Sequence, residues 1–100
     1  MEELMNVHPG EILKEEFLDP LNITPYRLSK SIKVQQIHIS RIIKGELGIS
    51  ADIALRLSKF FGNSAEFWMN LNRNHELRKI RHQNIDLLES IKSYEEDIKI

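Results

Sequence analysis

Helix punctuation constrains this chain more than any other feature of its sequence. Short apolar-periodic runs are bracketed, one after another, by residues that start or stop an α-helix. Pro9 suits a first helical position, with Glu11 near the positive end of the helix dipole. That helix presents Ile12, Leu13 and Phe17 and is expected to stop before Asp19-Pro20. Thr24 is an N-cap followed by Pro25, and Ile23 can staple onto Leu28, so a second helix should run to about Ile32. A third is expected over Gln35 to Lys44, with Gly45 as its stop. Ser50 caps a fourth carrying Ile53, Ala54, Leu57, Phe60 and Phe61, which Gly62 ends. Ser64 caps a fifth with Phe67, Trp68 and Leu71 apolar. Sustained period-2 alternation and Asn-Gly or Asp-Gly hairpin signals are absent. Five short helices joined by brief connections imply an all-α domain.

Composition removes several classes. The chain has 100 residues, 41% apolar and 29% charged, enough for one core. It has no Cys, which excludes disulfides and thiolate metal sites. The Met1-Glu2-Glu3 start has the wrong sign for a signal peptide, and no apolar run approaches a membrane span, so the cytoplasm is expected. Net charge is −1, but it is segregated: −5 in residues 1–20, +4 in 21–50, +3 in 73–82 and −3 in 83–100. A polyanion meets the local field rather than the average.

The basic segment coincides with a motif. Helices two and three are short and joined tightly around Lys33-Val34, the helix-turn-helix plan that lays its second helix in the DNA major groove. At about 100° per residue, Ile39, Ile42 and Ile43 form a buried stripe on helix three. Gln36, Ile37, Ser40, Arg41 and Lys44 fall on the opposite face, with His38 on the flank. Gln pairs with adenine and Arg with guanine, while Lys44 suits phosphate. Ile37 is open to two readings: contact with a thymine methyl, or a rim contact with its own core.

These residues bring a family into view. His8-Pro9-Gly10-Glu11-Ile12-Leu13 resembles the opening of the HigA (VapI-like) antitoxins, within the phage-repressor-like helix-turn-helix superfamily. The segments Ile39–Gly45, Ile49–Leu57, Phe61-Gly62 and Glu66–Leu71 resemble their recognition and following helices, so the similarity spans roughly residues 8–72. The resemblance implies a five-helix domain, a homodimer, binding to double-stranded operator DNA, and neutralisation of a HigB-type, RelE-like mRNA-cleaving toxin. It places Gln36, Ile37 and Arg41 at base-contacting positions and Gln35, His38 and Lys44 at phosphate or flanking ones; Thr24 and Ser40 complete the candidate DNA-binding set. Lys33 stands where a turn Gly is common, so the turn either accepts a Cβ or strains Lys33. Gln35-Gln36 replace the Pro-type starts of many relatives, so no operator sequence transfers. The rival readings are a stand-alone helix-turn-helix regulator without a toxin and an interaction module that no longer binds DNA.

The expected division is a helix-turn-helix domain over 1–79 and a C-terminal helical extension over 80–100. Residues 73–100 hold no Gly or Pro and should continue as helix. A heptad can be written with Leu77, Asn84, Ile91 and Ile98 at a and Ile80, Leu87 and Tyr94 at d. The tail could pair through that seam, fold back on its own domain, which is favoured, or order on a partner. No catalytic or metal-binding pattern emerges: His8, His38, His75 and His82 lack ligand spacing, and there is no phosphate loop or nucleophile elbow. The chain is therefore expected to be neither an enzyme nor a cofactor binder.

Overall fold

The computed structural model describes residues 6–98; the acidic Glu2 and Glu3 lie outside the described residues. Helix α1 opens with an α-turn at Pro9–Ile12, widens to a π-helix over Leu13–Leu18 and closes with a turn at Asp19–Leu21. The expected stop before Asp19-Pro20 is therefore corrected: the helix runs through Pro20. The π segment supplies the reason. Asp19 N–H donates to the Lys14 carbonyl five residues back, and this widened turn relieves the clash between a proline ring and the carbonyl four residues behind it. The helix ends at Asn22, left-handed at φ 56°, with Ile23 N–H donating to the Leu18 carbonyl at 2.9 Å.

The other starts follow the caps. Helix α2 spans Pro25–Ile32, and Thr24 Oγ1 accepts from Arg27 N–H at 3.1 Å. Helix α3 spans Gln36–Ile43. Helix α4 spans Ala51–Phe61, capped by Ser50, and α5 spans Ala65–Gln83, capped by Ser64. Gly45 and Gly62 take φ of 82° and 78°, the left-handed stops that their positions require. Two short helices follow, α6 at Ile85–Ser90 and α7 at Tyr94–Ile98.

Helices α1 to α5 share one core. Leu13, Leu28, Ile39, Ile42, Ala54, Leu57 and Trp68 are sealed from solvent. Trp68 satisfies its indole N–H on Asn63 Oδ1 at 2.9 Å, and its ring centroid lies 4.8 Å from that of Phe17. Gly10 explains its own place in the opening motif. A Cβ there would collide with the Ile42 carbonyl of α3, so only glycine lets α1 lie directly on α3.

The tail departs from expectation twice. Helix breaks at Asn84 (φ −122°, ψ 30°) and again after Ser90, so the heptad from Leu77 is not carried by one straight helix. Nor does the tail fold back: Leu77, Ile80, Ile85, Leu87, Leu88, Ile91, Tyr94 and Ile98 are 43–78% exposed. The radius of gyration is 17.4 Å and the longest extent 59 Å, against about 13 Å for the radius of a compact 100-residue domain. A chain whose second half of α5, α6 and α7 projects from the core must have such dimensions.

Candidate nucleic-acid interface

The interface is built on a strained turn. Lys33, which ends α2, sits at φ 62° and ψ 47°, the left-handed region that costs an L-residue roughly 1–2 kcal/mol. The turn is thus not reshaped to suit a side chain; Lys33 bears the strain. A clamp from α4 offsets it. Arg56 Nη1 donates to the carbonyls of Ile32 and Lys33 at 2.8 and 2.9 Å, closing two acceptors that the end of α2 would otherwise leave open. Asp52 one helical turn earlier holds Arg56 Nε at 3.1 Å. Val34 N–H donates to the Ser29 carbonyl at 3.0 Å and completes the turn.

Helix α3 emerges from this turn with one face buried and one face open. Ile39 and Ile42 are fully buried and Ile43 partly so. Gln35, Gln36, Ile37, Arg41 and Lys44 are exposed, and His38 and Ser40 are half-buried on the flanks. Ile37 is 63% exposed, which removes the rim-of-core reading and leaves its side chain outward among polar groups. Gln35 caps α3 through its backbone, its carbonyl accepting from His38 and Ile39 N–H at 3.1 and 3.4 Å, and no side-chain cap takes up the first N–H groups of α3. Thr24 is exposed just before α2, and its hydroxyl oxygen caps that helix. Beside α3, a groove lined by Tyr26, Lys30, Lys33 and Gln36 separates it from α2, and Lys30 Nζ lies 5.3 Å from the Tyr26 ring centroid.

The far end of α3 is held from three sides. Arg41 Nε donates to Glu46 Oε1 at 3.3 Å. Asn72 Oδ1 of α5 accepts from Ile49 N–H at 2.8 Å, tying the following loop to the core. The His8 ring lies against Gly45, accepts from Gly10 N–H through Nδ1 at 2.9 Å, and meets the His75 ring edge-on at 4.8 Å. Burial, reinforced by His75, lowers the pKa of His8 from its ordinary value. Sequence reasoning missed Asp52, Arg56, Glu46 and Asn72. Only the Asp52–Arg56 pair, four residues apart on a helix, left a signal that could have been found.

No protein-family model matches the chain. Individual relatives do. Virulence-associated protein I of Dichelobacter nodosus is 40% identical over 76 residues, covering 76% of this chain and 70% of that protein. Antitoxin HigA-1 of Vibrio cholerae is 34% identical over 93 residues, covering 93% of this chain and 78% of that one. This chain belongs to the HigA (VapI-like) antitoxin family. Among solved structures, the Pseudomonas aeruginosa antitoxin HigA with the higBA promoter superposes with a TM-score of 0.85 at 38% identity, over 89% of this chain and 98% of that one. The family's helix-turn-helix is thus the element that α2, the Lys33 turn and α3 form here.

Proposed function

We infer that this HigA-family chain is a cytoplasmic, homodimeric antitoxin that represses its own operon by sequence-specific DNA binding and neutralises a HigB-type toxin. It acts by binding, with no catalytic step. The observation that carries this reading is the outward face of α3. It leaves Gln36, Ile37, Arg41 and Lys44 exposed to solvent, on a turn fixed by Arg56. Gln and Arg can read adenine and guanine edges, Ile37 can meet a thymine methyl, and Lys44 and the N-terminal N–H groups of α3 that no side chain caps can meet phosphate. Solved relatives described with a promoter or an operator support the DNA partner. In this reading the domain through residue 79 binds DNA, and the end of α5 with α6 and α7 forms a helical tail continuous with it. Leu77 lies about opposite Trp68 around α5 and is exposed together with Ile80, which gives a second copy an apolar strip to cover. A two-fold dimer would set two recognition helices about 34 Å apart on a pseudo-palindrome.

Gel shifts on the DNA upstream of the chain's own coding sequence, across a salt series, test the DNA partner. Arg41→Ala should cost about 1–3 kcal/mol on the operator and relax one base position. Lys44→Ala should weaken all sequences alike and flatten the salt slope by about one. Equal losses on operator and random DNA for Arg41→Ala would defeat the base-reading assignment. Co-purification with the product of the neighbouring gene tests the toxin. Operator binding without any such partner would leave a stand-alone regulator. A partner without salt-dependent DNA binding would leave an interaction module.

A further inference from the structure

Glu46 is an odd residue to find on a DNA-facing surface. It is the single acid among residues 21–50, a segment of net charge +4. It sits just beyond α3, where its charge repels phosphate. Stability does not account for it. Its ion pair with Arg41 has both side chains half exposed, at 52% and 50%, and such pairs contribute little.

Geometry suggests a different role. A guanidinium carries five N–H donors in a fixed fork. Glu46 Oε1 takes the donor on Nε at 3.3 Å. The edge left for a ligand is the pair of terminal Nη nitrogens, whose spacing matches O6 and N7 of guanine. The position of Glu46 is itself fixed by backbone. Glu46 N–H and Leu47 N–H both donate to the Arg41 carbonyl, at 2.9 and 3.3 Å. Gly45, at φ 82°, permits this reversal, and the Asn72 bond to Ile49 N–H anchors the far end of the loop to α5. The carboxylate is thus tied to the residue it orients at both the main chain and the side chain.

We propose that Glu46 is a positioning residue for base readout: it holds the Arg41 guanidinium end-on to the major groove, so that Arg41 selects guanine. The proposal rests on the DNA-binding reading above. It assigns to the loop after the recognition helix a share in operator specificity.

Selection from a random double-stranded DNA library tests both without a known operator. Affinities are then measured for the best wild-type duplex, for that duplex with each guanine replaced in turn, and for random duplex. Glu46→Ala should bind random duplex more tightly, having lost a negative charge. It should also lose about tenfold discrimination at one guanine per half-site. Glu46→Gln, which keeps an acceptor, should recover part of that discrimination. Arg41→Ala should abolish preference at the same guanine, and adding Glu46→Ala to it should change nothing further there. A common factor on all duplexes for Glu46→Ala would reduce Glu46 to bulk charge and overturn the proposal. Extra loss in the double variant would make Glu46 a base reader in its own right and overturn it too. A wild-type protein that selects no sequence would instead overturn the DNA-binding reading itself. Both Glu46 variants should keep the wild-type melting temperature, since the pair is exposed.

Discussion

At the scale of single residues, His8 carries the most conditional interaction in the fold. Its Nδ1 can accept from Gly10 N–H only while unprotonated, and this bond caps the helix that packs on α3. Burial first, and then the charge of His75, hold its folded-state pKa below the ordinary 6.5; Lys79 acts in the same direction, and Glu11 and Glu76 oppose it. As pH falls, the unfolded chain therefore takes up this proton before the folded one. The contribution of His8 to stability is complete above 6.5 and declines below it, until folded-state His8 itself titrates. Urea unfolding midpoints from neutral pH to about pH 5 measure the effect. Replacement by Asn, which caps well and does not titrate, should flatten the acid limb of the curve. Parallel acid limbs for wild type and His8→Asn would show that His8 is not the responsible group.

Among the elements, the turn between α2 and α3 decides how the recognition helix is presented. Arg56→Met should remove two charge-assisted bonds to the carbonyls of Ile32 and Lys33. Because the side chain is 38% exposed, the cost should be about 1–2 kcal/mol, read as a lower melting temperature. Lys33→Gly should act in the opposite direction, raising stability by up to about 1 kcal/mol, because glycine occupies the left-handed region without strain. A destabilised Lys33→Gly would mean that the Lys33 side chain contributes more than its backbone costs. This turn also marks the boundary of what the sequence makes legible. Thr24, Ser50, Ser64, Gly45 and Gly62 announce their caps because each acts within four residues of itself. The stripe of Ile39 and Ile42 is equally local, since it needs only helical period. Arg56 reaches a carbonyl 24 residues away, and Asn72 an amide 23 residues away; no local pattern encodes such partners. Pro20 misleads for a related reason. Its rule assumes α-helical spacing, and the π segment before it changes that spacing.

At the scale of the whole molecule, the elongated end stands apart from the core. Residues 84–98 carry five acids (Asp86, Glu89, Glu95, Glu96, Asp97) against Lys92, and their large apolar side chains are exposed. A segment that buried those side chains on its own domain would add substantially to stability, at roughly 25 cal/mol for each Å² of apolar surface covered. Among the described residues, none lining the sealed core lies beyond Trp68, and the partly buried hydrophobics packed on that core end at Leu71. Ending the chain after Gln83 should therefore leave the melting temperature of the domain essentially unchanged. It should also reduce binding of a dye that reports exposed apolar surface. The outward strip of Leu77 and Ile80 survives this truncation, so sedimentation should return the same oligomeric state as the full chain. Leu77→Glu combined with Ile80→Glu should dissociate it instead, because burying two unpaired carboxylates at an interface is costly. A truncated chain that melts markedly earlier would mean that α6 and α7 pack on the domain in solution. A truncated chain that dissociates would move the contact between copies from α5 into the tail.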